Sequence, residues 1–241
     1  MKFKLEVIGF TIESCLIAQA AGAHRIELCD NPSEGGTTPS YGFIKTAREN
    51  LSIDLYPIIR PRGGDFLYSE IEFEVMKADI EVCKNLGCDG VVIGILNADG
   101  TVDKKRSKQL VDIAHPMKVT FHRAFDRTND PFQAMEDIIS IGCERILTSG
   151  LQTVATDGEE LLNKLVKKAN DRIIIMPGSG VKSDNIKTLI RNTNATEFHS
   201  SARTFVNSKM EFINESMNEQ LTSVTTMSKE IKKMIEIFEN F

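Results

Sequence analysis

The chain has 241 residues, a formal net charge of −5, and 41% hydrophobic and 26% charged residues. These values are ordinary for a globular protein and give no general attraction to nucleic acid. No apolar run approaches the roughly 18 to 20 residues that span a bilayer, and no apolar signal segment follows Met1. We therefore expect a cytoplasmic protein that contacts neither membrane nor nucleic acid.

Short apolar runs alternate with amphipathic stretches along the whole chain, which is the pattern of repeated strand-helix units around a parallel sheet. Eight strands are predicted, at residues 3–8, 25–28, 55–59, 90–95, 118–121, 145–147, 173–176 and 196–198. The length suits one α/β barrel, and no change of composition marks a second domain. The sequence therefore predicts an α/β fold, a single-domain TIM-like (β/α)8 barrel spanning residues 1–241.

Helix boundaries support these units. Ser69 with Glu72 forms a capping box, and Asp130 before a proline is a helix start. The segments that begin at Gly22, Gly87 and Gly142 align without gaps, and each glycine lies where a left-handed helix cap is expected. A fourth copy begins at Asn194, since asparagine also tolerates that conformation. The copies precede every second strand, which favours a closed eightfold barrel over an open sheet.

Two segments depart from the regular pattern. Pro57 lies inside the third strand and has no N–H to donate to a neighbouring strand, so we expect a bulge there. Residues 200–223 form a long connection before the last helix, and loops of that length are often lids or partner contacts. We expect this loop on the ligand side of the barrel.

Ligands bind such barrels at the carboxyl ends of the strands, and these ends are unusually polar here. Arg60 and Arg62 follow the third strand, beside two glycines that allow backbone N–H groups to approach a ligand. Two glycine- and serine-rich loops follow strands seven and eight, where many barrels bind phosphate. The predicted anion-binding residues are Arg60, Arg62, Arg123, Ser149, Gly178, Ser179, Gly180, Ser200 and Ser201. The alternative is a set of solvated, flexible turns.

Carboxylates and imidazoles accompany these residues. Candidates for acid-base catalysis are Glu27, His122, Asp126 and His199, and the possible ligands of a divalent metal are Glu6, Glu27, His122 and His199. Buried structural histidines are one alternative. For the two glutamates the alternative is an ion pair between strands, with Arg25, Arg60 or Arg123 as partner.

The sequence lacks the residues that several common kinds of chemistry require. No lysine follows a strand, which disfavours a Schiff-base aldolase, and no GxGxxG or Walker pattern supports a nucleotide cofactor. The five cysteines form no CxxC pair, so we expect reduced thiols that act mainly as small core residues. Since Cu(I) prefers sulfur ligands, Cys29, at the end of the second strand, is the one candidate for copper.

Seven segments together resemble the CutC copper-homeostasis family: residues 25–29, 33–40, 59–69, 122–126, 145–150, 176–180 and 197–203. The resemblance implies a TIM-like barrel, a cytoplasmic location, a homodimer or higher homo-oligomer, and a role in copper homeostasis with copper as the bound ion. Some members have a cysteine directly after the Glu-Val of the first strand, which is proposed to bind Cu(I) with the counterpart of Cys29. Ile8 stands at that position here.

Two functions therefore remain open. The resemblance implies copper binding without catalysis. The polar residues instead favour an enzyme of the lyase, isomerase or hydrolase kind, which acts on a small phosphorylated or carboxylated metabolite at the mouth of the barrel.

Overall fold

Eight parallel strands form the centre of the computed structural model, which describes residues 3–241 and confirms the TIM-like barrel. The strands are β1 (Lys4–Gly9), β2 (Arg25–Leu28), β3 (Asp54–Pro57), β4 (Gly90–Ile93), β5 (Lys118–Phe121), β6 (Arg145–Thr148), β7 (Ile174–Pro177) and β8 (Glu197–Ser200). The predicted strands match these bounds to within about two residues, as expected for short apolar runs.

Helices alternate with the strands and cover the outside of the barrel. They are α1 (Ile12–Ala20), α2 (Tyr41–Asn50), α3 (Glu70–Asn85), α4 (Lys104–Ala114), α5 (Pro131–Ile141), α6 (Glu159–Ala169), α7 (Ile186–Thr193) and α8 (Ser228–Glu239). The capping box of Ser69 and the N-cap of Asp130 are confirmed. Within residues 3–241, none of the helices has the length and apolar character needed to cross a bilayer.

The helix ends explain the repeated segments. Gly22, Gly87 and Gly142 have φ angles of 97°, 76° and 95°, and Asn194 has a φ of 60°. Most residues with a Cβ atom are strained in this region, whereas glycine has no Cβ atom and asparagine tolerates it through local hydrogen bonds, so the repeats carry one of these two residues there.

The ring of strands consists of two hydrogen-bonded halves, β3-β2-β1-β8 and β4-β5-β6-β7, which meet at β3 beside β4 and at β7 beside β8. Pro57 explains the first seam. Towards β4, Leu55 O accepts from Asp89 N and Ile59 N donates to Val92 O, but Pro57 between them has no N–H. The expected bulge is wrong, because the register of β3 with β2 is continuous through Pro57.

The interior of the barrel is separate from the main core between strands and helices. A small apolar cluster inside the ring consists of Ile8, Cys29, Tyr56, Ile58 and Val92. Buried polar side chains, among them Glu6, Arg25, Glu27 and His199, share the interior with this cluster.

The segment predicted as a long loop contains two strands. β9 (Arg203–Asn207) and β10 (Thr222–Thr226) pair antiparallel, with Arg203 opposite Thr226. Threonine, valine and phenylalanine in these stretches favour extended structure. Large apolar side chains in residues 203–226 are exposed, and Phe212 is 76% accessible.

Candidate functional site

A cavity of about 230 Å³ opens at the carboxyl ends of the strands, as predicted for a barrel of this kind. We call it the mouth cavity. Its walls contain Ile8, Glu27, Gly35, Ile58, Arg60, Phe66, His122, Arg123, Leu147, Ser179, Gly180, His199, Ser201 and Arg203. The fold thus brings together eight of the predicted site residues, from five different strands or the loops that follow them: Glu27, Arg60, His122, Arg123, Ser179, Gly180, His199 and Ser201.

A buried ion network lies below the cavity. Arg25 donates to Glu6 through Nε, and its Nη2 lies 2.8 Å from Glu197 Oε2. Arg145 Nε reaches the same Glu197 oxygen at 2.7 Å. We call these four residues the lower layer. Glu6 thus forms the ion pair with Arg25 that was the alternative to a catalytic role.

The charges of the lower layer keep Glu6 ionised. Burial by itself would raise the pKa of Glu6, but Arg25 and the hydrogen bond from His199 hold it well below its ordinary value. Glu6 Oε1 lies 2.8 Å from His199 Nδ1, and an ionised carboxylate can only accept, so Nδ1 carries a proton. The bond turns His199 Nε2 towards Glu27.

Glu27 and His199 form the acid-base pair of the mouth cavity. His199 Nε2 lies 3.8 Å from Glu27 Oε2, which is too long for a hydrogen bond, so neither atom is committed to the other. Burial raises the pKa of Glu27 to about 7, although the charge of His199 opposes the shift. Burial tends to lower the pKa of His199, but Glu6 and Glu27 raise it above its ordinary value. The protonation of each group thus depends on that of the other.

His122 is held in one orientation by its own backbone turn. Its Nδ1 accepts from Ala124 N at 3.1 Å, while its Nε2 is buried and has no partner within the described chain. Burial and the charge of Arg60 lower the pKa of His122 to about 3. Gly94 makes room for the ring, since a Cβ atom there would lie 2.4 Å from His122 Cε1.

Arg60 is also buried, with 5% of its surface accessible. Its Nη1 donates to the carbonyl oxygens of Glu34 (2.6 Å) and Gly36 (2.9 Å), and its Nη2 donates to Gly64 O at 2.9 Å. Only Nε lacks an acceptor among the described residues. Phe66 packs against this group, with its ring 5.0 Å from Arg60 Cζ and 4.9 Å from the His122 ring.

The loops after β7 and β8 place free backbone N–H groups and an arginine at one edge of the cavity. Ser179 and Gly180 have φ angles of 76° and 73°, and in the described chain their backbone N–H groups donate to no protein acceptor. Ser201 and Arg203 line the same edge of the cavity, and Arg203 forms no ion pair with any residue between 3 and 241. Consecutive free N–H groups beside a cation are a common anion site. We call these four residues the N–H edge.

Several predicted anion-binding residues lie elsewhere. Arg62 is outside the mouth cavity, where Nε contacts Glu72 at 2.5 Å and Nη2 contacts Asp65 at 3.0 Å. Gly178 and Ser200 lie behind the N–H edge; Ser200 Oγ donates to Val181 O at 2.7 Å. Arg62 does follow the carboxyl end of β3, as predicted. Its N–H groups, however, are bonded to the neighbouring carboxylates of Asp65 and Glu72.

Asp126 and Ser149 connect two loops. The Asp126 carboxylate accepts from Thr148 Oγ1, from the backbone N–H groups of Ser149 and Leu151, and from Arg123. These bonds hold Arg123 at the rim, where the mouth cavity meets a second cavity of about 620 Å³. This arrangement favours a positioning role for Asp126 over the predicted catalytic one.

One group of potential metal ligands is present in residues 3–241: Glu6, Glu27 and His199, whose ligand atoms lie within 4.8 Å of one another. His122 and Cys29 are not part of it. Both oxygens of Glu6 are already engaged, by Arg25 and by His199, and a nearby guanidinium opposes a second cation. The group therefore fits proton transfer better than metal binding.

Cys29 is fully buried under the loop that contains Gly36 and does not line the mouth cavity. Burial and the neighbouring carboxylates raise the pKa of its thiol well above the ordinary value. Since the thiolate is the form that binds metal, this environment opposes copper binding.

Sequence reasoning missed Glu197 and Arg145 of the lower layer, and it gave no role to Phe66. A signal for the arginines was present. Arg25 and Arg145 occupy the same position in the aligned segments that begin at Gly22 and Gly142. Residues at equivalent positions of alternate strands lie in one layer of a barrel. The alignment therefore predicts that the side chains of Arg25 and Arg145 lie in the same layer.

Comparisons with known proteins agree with this geometry. The model of the CutC family matches residues 3–204. A CutC family protein from Chromobacterium violaceum is 53% identical over 208 residues, which cover 86% of this chain and 84% of the relative. The human copper homeostasis protein cutC homolog is 46% identical over 215 residues, covering 89% of this chain and 79% of the relative.

Solved structures support the same fold. The crystal structure of CutC from Streptococcus agalactiae superposes with a TM-score of 0.79 at 32% identity, covering 83% of this chain and 98% of that protein. Phosphoribosyl anthranilate isomerase from Thermotoga maritima gives a TM-score of 0.61 at 13% identity, covering 99% of this chain and 100% of that protein. The second likeness concerns the fold alone.

Proposed function

The chain belongs to the CutC family, and we propose that it is an enzyme that performs acid-base chemistry on a small phosphorylated or carboxylated compound in the mouth cavity. The observation that carries this proposal is the pair of Glu27 and His199, 3.8 Å apart, which lines a cavity together with backbone N–H groups that have no acceptor in the described chain. Perturbed acid-base groups in a cleft are typical of active sites.

The anionic end of the compound is assigned to the N–H edge. Ser179 and Gly180 present backbone donors, while Arg203 adds a positive charge that no acidic residue of the described chain neutralises. Phosphate groups bind such combinations of N–H donors and arginine readily. A carboxylate can use the same donors with fewer contacts.

The reacting end is assigned to Glu27. A carboxyl group with a pKa of about 7 is half ionised at neutral pH, so it can accept a proton in one step and return it in another. Glu6 cannot share this task, because Arg25 and His199 hold it ionised. Its contribution is to orient His199.

The test is a thermal-shift screen of phosphorylated and carboxylated metabolites against the wild type and Arg203→Gln. We expect at least one compound to raise the Tm of the wild type, by about 2 to 4 °C for each kcal/mol of binding free energy. Arg203→Gln should lose most of this rise. Turnover of the same compound should then disappear in Glu27→Gln.

Arg191→Gln is the matched control, because Arg191 is an exposed arginine on α7, away from the mouth. It should respond to ligands as the wild type does. The proposal fails if no compound stabilises the wild type more than it stabilises Arg203→Gln.

Copper binding is the second candidate, favoured by the name of the human relative at 46% identity. We propose it as a role in copper homeostasis that Cys29 would serve if the barrel mouth opened around it. The buried, protonated thiol and the isoleucine at position 8 give this role less support than the acid-base chemistry.

An anaerobic Cu(I) titration with a competing chelator tests the copper role. A role for the thiol predicts tighter binding by the wild type than by Cys29→Ser. Equal affinity of the two proteins would rule it out.

Self-association and a cytoplasmic location are retained as proposals. The exposed apolar side chains of residues 203–226, including Phe205 and Phe212, support self-association. Analytical ultracentrifugation of the wild type and Phe212→Ser would test it, and a monomeric wild type at micromolar concentration would contradict it.

A further inference from the structure

Two residues that line the mouth cavity each have a buried N–H group without an acceptor in residues 3–241: Arg60 at Nε and His122 at Nε2. The two residues are only 5% and 4% accessible. A buried donor without a partner is costly, and native proteins rarely retain one without a function. Two such donors in one cavity point to an oxygen atom that belongs to the ligand.

The protonation state of His122 follows from its contacts. Nδ1 accepts from Ala124 N, so the proton of the neutral ring is on Nε2. Burial and the charge of Arg60 keep the ring neutral, with a pKa of about 3. His122 therefore donates a hydrogen bond throughout the neutral range and cannot serve there as a base.

The two donors lie on one side of the cavity. Both groups pack against the ring of Phe66, at 5.0 Å from Arg60 Cζ and 4.9 Å from the imidazole. Arg60 follows β3 and His122 follows β5, whereas Glu27 belongs to β2 and the N–H edge follows β7 and β8. A ligand in the cavity thus has donors, a base and an anion site around it.

We infer that Arg60 Nε–H and His122 Nε2–H bind the carbonyl oxygen of a phosphorylated or carboxylated substrate and stabilise the enolate that forms when Glu27 removes a proton from the neighbouring carbon. This inference rests on the proposed function and selects an isomerase or lyase over a hydrolase.

The step balances without a cofactor. The C–H bond breaks and its proton moves to a Glu27 carboxylate oxygen. The electron pair of that bond forms the C=C bond, and the π electrons of the carbonyl move to its oxygen, which becomes negative. Both donors keep their protons and form stronger hydrogen bonds to the charged oxygen, which lowers the barrier. Return of the proton from Glu27 to carbon completes the step.

An ordered water molecule is the competing explanation, because water also satisfies buried donors. Water would give no preference among ligands by the shape or charge of their reacting end. An enolate site must prefer a planar, electron-rich oxygen at this position.

The experiment is calorimetric titration of the full chain with phosphoglycolohydroxamate, a planar enolate mimic, and with glycerol 3-phosphate, which has the same phosphate but a tetrahedral carbinol. We expect the mimic to bind at least about 100-fold more tightly, in the range typical of transition-state analogues. His122→Leu should reduce this preference to less than about tenfold, since it removes one donor.

Further variants separate hydrogen-bond donation by His122 and Arg60 from a purely structural role of these residues. His122→Gln places an amide N–H near the position of Nε2 and should restore part of the preference, which a purely structural role would not predict. Arg62→Lys is the matched control for Arg60→Lys. Arg62 lies outside the cavity, so only the change at Arg60 should reduce the preference.

The titration separates a failure of the enolate inference from a failure of the proposed function. If the wild type binds both compounds with equal affinity, the enolate inference is overturned and the anion site of the proposed function stands. If it binds neither compound, the enolate inference is overturned, and the thermal-shift screen with Arg203→Gln decides the proposed function separately.

Discussion

The interior of this barrel contains two charged levels that differ in how completely their groups are paired. In the lower layer, Glu6, Arg25, Arg145 and Glu197 satisfy one another through short ion pairs. At the mouth, Glu27 and His199 remain 3.8 Å apart, and Arg60 and His122 each retain an unpaired N–H. Burial is similar at both levels, so the difference between them lies in how completely the polar groups are paired.

The two glutamates show the consequence. Glu6 and Glu27 lie on adjacent strands, and both are almost fully buried. Arg25 contacts Glu6 and helps to hold its pKa below the ordinary value, whereas burial raises the pKa of Glu27 to about 7. Contacts with Arg25 and His199, which Glu27 does not make at hydrogen-bonding distance, therefore separate the pKa values of the two carboxyl groups.

Breaking the lower layer should have the largest effect. Glu197→Gln leaves two buried guanidinium groups short of negative charge, and the loss of one partner from a buried pair typically costs about 3 to 5 kcal/mol. Urea denaturation at pH 7 measures this loss of unfolding free energy. Glu81→Gln on the exposed face of α3 is the control, and an equal effect at both positions would contradict the comparison.

Glu27→Gln should instead stabilise the protein. The folded protein holds a proton on Glu27 up to about pH 7, whereas the unfolded chain releases it near pH 4.5. The folded state thus binds more protons in this window, and stability falls as the pH rises from 4.5 to 7. Removing the group should add on the order of 2 kcal/mol at pH 8 and nothing below pH 4.

Unfolding free energies of wild type and Glu27→Gln, measured between pH 4 and pH 8, test this sign. A gain that does not depend on pH would show that Glu27 is not the group that titrates. A loss of stability at pH 8 would place Glu27 in a paired network like that of Glu6.

His122 should make the mouth sensitive to acid. Its folded pKa is about 3, below the ordinary 6.5, so the unfolded chain binds the extra proton first and stability is lost as the pH falls below 6.5. His122→Gln removes this titrating group. The free energy of unfolding that is lost between pH 7 and pH 4.5 should therefore be smaller in the variant than in the wild type, by about 1 to 2 kcal/mol. Chemical denaturation at the two pH values measures it, and an unchanged difference would contradict a buried neutral imidazole.

The smallest effect is expected at Arg62. Its side chain is 39% exposed and its partners are surface carboxylates, so Arg62→Gln should cost less than about 1 kcal/mol. Arg60→Gln should cost more, because the Arg60 guanidinium is buried and the substitution leaves three carbonyl oxygens, among them the buried one of Gly36, without their donor. Thermal denaturation of the two variants side by side would show whether burial separates these arginines.

Most of the fold could be predicted because its signals are local. The left-handed caps require glycine or asparagine at Gly22, Gly87, Gly142 and Asn194, and strand positions follow from short apolar runs. The hairpin of β9 and β10 was missed, since polar residues such as Asn207 and Ser208 obscure its alternation. The bulge at Pro57 was wrong because the missing N–H coincides with a seam between two halves of the ring.

The site could be predicted as a set of residues but not as a set of roles. Strand ends identify Glu27, Arg60, His122 and His199, because a parallel barrel brings these ends together. Whether a given donor is free depends on which neighbours reach it. Arg62 forms ion pairs with Glu72 and Asp65, and Glu6 forms an ion pair with Arg25.

The sequence by itself determined the barrel, the family and the face on which the polar residues gather, because periodicity, caps and motifs act over a few residues. Only the tertiary structure decided which buried groups are paired. Pairing depends on contacts such as that of Glu6 with His199, 193 positions apart in the chain. Sequence patterns do not give the distance between residues so far apart in the chain. A shift of a few ångströms decides whether a buried carboxylate reaches an ion-pair partner.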